Sequence, residues 1–197
     1  MWRKTASSVS LQPFSTPAGR PEARTFLGGR GATIPAAAVP PKALRVVDVP
    51  FSVCRSVIAE HHYLGYAPPG GRLFLGILGG GRMVGALMLG RPVARREDQE
   101  ATLELTRMVL LAGCGRNSES RVLGVLPRLI RARFPEVRRL IAYADPARGH
   151  TGTIYAAAGW RRVGATRAGS WARSRRGRRA GPPSSKVKWD LCWAAGP

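Results

Sequence analysis

Residues 101–134 read ATLELTRMVLLAGCGRNSESRVLGVLPRLIRARF, and their reading decides the fold. ATLELTRMVLL alternates and predicts a strand with Leu103, Leu105, Val109 and Leu111 on one face. AGCGRNSES is small and polar, a turn. Asn117 or Ser118 can cap the helix that follows, where Val122, Leu126, Leu129, Ile130 and Phe134 recur at helical spacing. Pro127 removes one backbone donor and predicts a kink there. A strand that turns through small residues into a helix leaves N–H groups unpaired at the positive end of the helix dipole. Such turns bind anions, pyrophosphate among them.

The flanking segments extend this pattern. LRVVDV (44–49) predicts a strand ended by Pro50, with Ser52 capping a helix that turns Val53, Val57 and Ile58 inward. His61 shares the apolar side of that helix with Val57, which favours a packing role over a chemical one. Residues 64–71 form a loop, 72–90 a hairpin about Gly79-Gly80-Gly81, and 91–100 a charged excursion. Further on come a strand (138–144), a short helix (149–159), a strand (161–167) and a final strand (186–193). The order β-α-ββ-β-α-β-α-β-β predicts an α+β fold, a mixed sheet with helices packed on it. Residues 1–43 hold Pro, Gly, Ser and Ala without an apolar period and read as a disordered basic arm, leaving 44–197 as the domain.

At 197 residues, 44% of them apolar, the chain has enough for one core. A net charge of +21 destabilises a compact fold by self-repulsion, and a polyanion relieves it. DNA or RNA is the first partner this suggests, ahead of an acidic membrane surface. An Arg-rich composition bias is the plainer explanation. The 3 cysteines form no Cys-x-x-Cys pair, so no zinc ribbon is encoded, and a reducing cytoplasm fits. No apolar run reaches the ~20 residues of a membrane span.

The element order, the anion-binding turn and Tyr-x-x-x-Gly-Trp at 155–160 resemble the acetyltransferase fold called GNAT. CGRNSES stands where that fold usually has a glycine-rich pyrophosphate turn. HHYLGY (61–66), LELTRMVL (103–110), NSESRVLG (117–124) and YADPARGHTGTIYAAAGW (143–160) are similar to the phage Mom family, over residues 44–193. The resemblance implies a GNAT-like, mainly antiparallel sheet and an enzyme that converts adenine in phage DNA to its N6-carbamoylmethyl form, blocking restriction. It also implies double-stranded DNA with the adenine flipped out, an acyl-CoA donor such as acetyl-CoA, and an iron ion as an option. Arg116, Asn117, Ser118 and Gly124 are then the cofactor-binding candidates, and a homodimer is admitted.

Such chemistry needs a flipped base and a polarised or deprotonated amine. Asp145, just after a strand, can accept from the amine or act as a base, or simply be a turn Asp before Pro146. Tyr155 can protonate a leaving thiolate or be a core aromatic. Ser120 can bond donor or base, or merely begin a helix. His62 and Tyr63 end the first helix, where a His can serve as base or metal ligand, or be favoured by the helix dipole alone. His150 can contact a phosphate. A metal held by His62 with Asp145, His150 or Tyr63 is admitted, but no His-x-x-x-His spacing encodes it. The loop 167–185 carries Arg167, Arg173, Arg175, Arg176, Arg178 and Arg179 around Trp171, suited to phosphates and to stacking on a base. The rivals are a GNAT enzyme acting on a protein or small-molecule amine, and a basic DNA-binding protein without activity.

Overall fold

A computed structural model describes residues 39–168 and 184–193. Most of the arm and most of the basic loop, including Trp171, Arg173, Arg175, Arg176, Arg178 and Arg179, lie outside the described residues. The elements follow the predicted order: β1 (Arg45–Asp48), α1 (Phe51–His61), β2 (Gly71–Gly79), β3 (Arg82–Gly90), β4 (Thr102–Leu110), α2 (Ser118–Arg133), β5 (Arg139–Ala144), α3 (Thr153–Ala157), β6 (Arg161–Ala165) and β7 (Val187–Cys192). They build one 7-stranded sheet in the order β1-β2-β3-β4-β5-β7-β6. Every neighbouring pair is antiparallel except β4 and β5.

Apolar clusters occupy both faces of the sheet. Leu103, Leu105, Leu140 and Trp189 pack with Val122, Leu123, Leu126 and Ile130 of α2 and Tyr155 of α3. Val53, Cys54, Val57 and Ile58 of α1 pack on Ala86 and Met88 of β3. Burying each large α2 side chain contributes about 1.5–3 kcal/mol. Together they outweigh the ~3 kcal/mol that a helix-interior proline costs, so α2 runs on through Pro127.

The helix starts differ from the caps expected. Pro50, not Ser52, precedes α1, and no side chain caps it. Asn117 precedes α2 in a left-handed conformation (φ 69°), again without a side-chain cap. Ser118 is buried and its hydroxyl donates to the Gly115 carbonyl at 2.6 Å. His61, the last residue of α1, is exposed rather than packed, because the helix ends there and the chain turns away at His62.

β4 also departs from its predicted single face. Leu105 pairs with Leu89 and Arg107 with Met88, so Thr106 is an extra, bulged residue. Its hydroxyl donates to the Met88 carbonyl at 3.0 Å. Side chains alternate with a period of two, so one extra residue reverses which face each later residue takes. Leu103, Leu105, Met108 and Leu110 therefore share the α2 side, while Val109 packs on the α1 side and Leu111 lies past the strand. Val39 bridges to the turn after β4: its N–H donates to Gly113 and its carbonyl accepts from Gly115.

Candidate active site

β4 and β5 pair only from Thr102–Arg139 to Leu105–Ala142. Beyond Leu105, at the bulge, they part, and a cavity of about 920 Å³ opens between them. Its walls include Glu104 to Leu110 of β4, Tyr143 to Asp145 at the end of β5, and Gly149 to Tyr155. His62, Tyr63 and Tyr66, between α1 and β2, and Thr166 and Lys186, either side of the basic loop, also line it.

Asp145, before the turn, and Tyr155, within α3, line the same cavity. Asp145 is 7% exposed. One carboxylate oxygen accepts from the Ala147 N–H at 3.2 Å and the other from the Ser184 hydroxyl at 3.1 Å. The turn role and the cavity role thus belong to the same residue. Tyr155 stacks with Trp189 at 5.9 Å and lies against Trp160 at 5.4 Å. Burial, and then Tyr63, push its hydroxyl pKa well above the ordinary tyrosine value, so it stays protonated. Gly152 makes this packing possible: its φ is +84°, and an added Cβ would sit 2.3 Å from the Trp189 indole nitrogen.

His62, Tyr63 and His150 stand in a row, with ring centroids 4.5 Å and 5.2 Å apart. The Arg148 guanidinium lies 5.9 Å from the Tyr63 ring. Burial, Arg107, His150 and Lys186 depress the His62 pKa to about 4. Nδ1 of His62 accepts the Leu64 N–H at 3.2 Å, which assigns the remaining proton to Nε2. His62 is thus a neutral donor, not a ready base.

Of the residues at the head of α2, only Glu119 reaches the cavity wall. The Ser120 hydroxyl donates to the Asn117 carbonyl at 3.1 Å. Neither Ser120 nor Arg116, Asn117, Ser118 or Gly124 lines the cavity, whereas Glu119 does. The backbone N–H groups of Arg116, Asn117, Glu119 and Ser120 find no backbone acceptor among the described residues.

Residues 43–178 match the Mom protein family. The chain belongs to that family. It is 31% identical over 131 residues to the methylcarbamoylase Mom of Escherichia phage Mu, covering 62% of this chain and 54% of that protein. The chain thus spans just over half the length of that relative.

Solved acetyltransferases share the fold of this Mom-family chain. A GNAT-family acetyltransferase from Bacillus anthracis superposes with a TM-score of 0.53 at 11% identity, over 76% of this chain and 95% of that one. A ribosomal-protein-S5-alanine acetyltransferase from Vibrio fischeri gives 0.54 at 11%, over 76% and 93%. An aminoglycoside acetyltransferase in complex with coenzyme A and kanamycin gives 0.54 at 14%, over 76% and 94%.

Two features of the Mom-family site fit an acyl-CoA. The β4 edge beyond Leu105 has no strand partner among the described residues and lines the cavity, so amide groups of an extended ligand arm can pair with it. The unpaired N–H groups at the head of α2 suit a pyrophosphate. Among the described residues no group of three or more His, Cys, Asp and Glu could hold a metal ion.

Sequence reasoning passed over Glu104, Arg107 and Lys186. Glu104 is 7% exposed, and burial raises its pKa. One of its oxygens accepts the Val93 N–H at 2.9 Å. Arg107 lies 4.8 Å from the Tyr66 ring and donates to the Tyr66 carbonyl at 3.2 Å. Burial lowers the Lys186 pKa, against the pull of Asp145. Glu104 and Arg107 both stand inside LELTRMVL, and a charge in the middle of an apolar strand was the available signal.

Proposed function

We propose that this Mom-family chain is a DNA-modifying transferase that converts adenine in double-stranded DNA to N6-carbamoylmethyl-adenine, using an acyl-CoA as donor. The observation that carries the reading is the cavity at the β4–β5 parting, which holds Asp145 and Tyr155 together in a chain of net charge +21. The relative from phage Mu is a methylcarbamoylase, which supports the same chemistry.

The adenine amine is a poor nucleophile because its lone pair is delocalised into the ring, and in a duplex it is paired. The base is therefore extruded into the cavity. Asp145, held by Ala147 and Ser184, accepts the N6–H and draws off its proton. Glu104, whose raised pKa brings it nearer neutrality, is the second proton acceptor in reach of the cavity. His62 donates from Nε2 to a ring nitrogen of the base. When bound, an acyl-CoA would supply an activated carbonyl carbon and a thiolate leaving group. A glycyl thioester would place a glycyl group on N6, and attack of its amine on adenine C6, with release of the amide nitrogen, would give the carbamoylmethyl isomer with every atom retained. Tyr155, kept protonated by burial, gives the proton that thiolate takes up. The basic loop adds phosphate contacts through Arg173, Arg175, Arg176, Arg178 and Arg179, with Trp171 stacking on DNA.

Mass spectrometry of nucleosides from host DNA tests this. Cells expressing the chain are expected to contain deoxyadenosine heavier by one carbamoylmethyl group, and cells expressing Asp145→Ala are not. Unmodified deoxyadenosine alongside modified protein amines favours the protein-acting rival instead.

A further inference from the structure

The connection between β3 and β4, RPVARREDQEA (91–101), is a built projection rather than a slack loop. Pro92 is buried at its root, and the Val93 N–H is tied to the Glu104 carboxylate at 2.9 Å. The Glu97 N–H donates to the Ala94 carbonyl at 3.0 Å, and the Gln99 side chain donates to both Ala94 and Glu97. Asp98 accepts from the Glu100 and Ala101 N–H groups, each at 2.9 Å. The Glu97 carboxylate is drawn inward by Lys188 and by Arg139, the latter at 2.8 Å.

What this bracing presents is distinctive. Val93 is 73% exposed, yet it and Ala94 belong to the cavity wall. Arg91, Arg95 and Arg96 surround it in sequence and are exposed. None of them makes an ion pair among the described residues. The acids lie on the returning limb, where Glu97 and Asp98 are engaged as above and Glu100 adjoins β4. An exposed valine flanked by unpaired guanidinium groups at a cavity mouth suits one partner chemistry: phosphates on either side of a base stack.

We infer that residues 91–96 form a second DNA-contacting element, in which Arg91, Arg95 and Arg96 bind duplex phosphates while Val93 enters the stack beside the extruded base. The inference rests on the DNA reading above and deepens it. Phosphate contacts draw the duplex across the cavity mouth. The exposed Val93 side chain then occupies space that the departing base leaves, which offsets part of the unstacking free energy.

The test is binding of a short labelled duplex of mixed sequence by the full chain, titrated between about 50 and 200 mM salt. All the substitutions are at exposed positions, so folding is preserved. The combined variant Arg91→Gln, Arg95→Gln, Arg96→Gln is expected to lower the salt slope by roughly 2 to 3, at about 0.9 per phosphate contact. Arg45→Gln with Arg82→Gln, at the opposite end of β3, controls for total charge. Val93→Gly is expected to keep the wild-type slope and bind continuous duplex several-fold more weakly, while binding duplex with one bulged base as the wild type does. An unchanged slope in the triple variant, or an equal change per charge in the control pair, overturns the inference and leaves the DNA reading standing. Equal weakening on both duplexes by Val93→Gly overturns the wedge. No duplex binding by the wild type overturns the DNA reading and this inference together.

Discussion

Replacing Gly152 by alanine tests whether the packing behind Tyr155 is as tight as the geometry requires. The substitution has two separable effects. At φ +84° an L side chain is in the left-handed region, at about 1–2 kcal/mol. The new Cβ would also lie 2.3–2.5 Å from three atoms of the Trp189 indole. That ring is 8% exposed and stacked against Tyr155, so it has no open side to move into. Overpacking of this kind adds about 1–3 kcal/mol. The sum is roughly 2–5 kcal/mol, and at about 2–4 °C per kcal/mol for a chain of this size the melting temperature falls by roughly 4–20 °C. Gly149 supplies the internal control. Its φ is +77°, but nothing lies within 4 Å of an added Cβ. Gly149→Ala therefore carries only the conformational part, about 1–2 kcal/mol. Thermal unfolding followed by far-ultraviolet circular dichroism reads the difference, and the near-ultraviolet tryptophan signal reads displacement of Trp189. A Gly152→Ala protein that melts no lower than Gly149→Ala, with an unchanged near-ultraviolet spectrum, refutes the close contact and the account of how Tyr155 is held.

Other expectations follow from the same site. Tyr155→Phe should keep the fold and duplex binding but lower DNA modification by about 10²–10⁴-fold in single-turnover assays, the range for a lost general acid. The His62 pKa of about 4, against 6.5 unfolded, means the unfolded chain binds the proton that the folded one refuses. Stability is therefore retained above about pH 6.5 and falls as pH drops toward 4; urea unfolding across that window should show a shallower fall for His62→Gln. Arg107→Gln removes a nearby positive charge, so the His62 pKa should rise toward its ordinary value, measured by its imidazole proton resonances.

Much of the architecture could be read from local pattern. Alternating Leu103 and Leu105, the small-residue turn and the 3.6-residue spacing from Val122 to Ile130 each report on neighbours in the chain, and β4 and α2 formed where their patterns lay. The helix expected over 149–159, by contrast, is only Thr153–Ala157, because Gly149 and Gly152 before it are left-handed. The caps were misread because Ser52 and Ser118 have the right chemistry, while the geometry that decides a cap depends on where the chain enters the helix. The family's motifs drew attention to Asp145 and Tyr155. Nothing local marked Glu104, whose side chain looks like an exposed break in an apolar strand until the sheet parts beside it.

By itself, then, the sequence determined the order of the elements, the family and the positive charge, because these rest on residue identity and short-range periodicity. Only the tertiary structure decided where the cavity lies and what faces it. The extra residue at Thr106 shows itself only against the register of β3. The opening beyond Leu105 exists only because β4 and β5 stop pairing there. Such features arise from hydrogen-bond partners far apart in the chain, which no window of neighbouring residues contains. The same holds for His62, lowered by burial among Arg107, His150 and Lys186, and for Tyr155, raised by burial: both depend on solvent exclusion by segments the fold brings together.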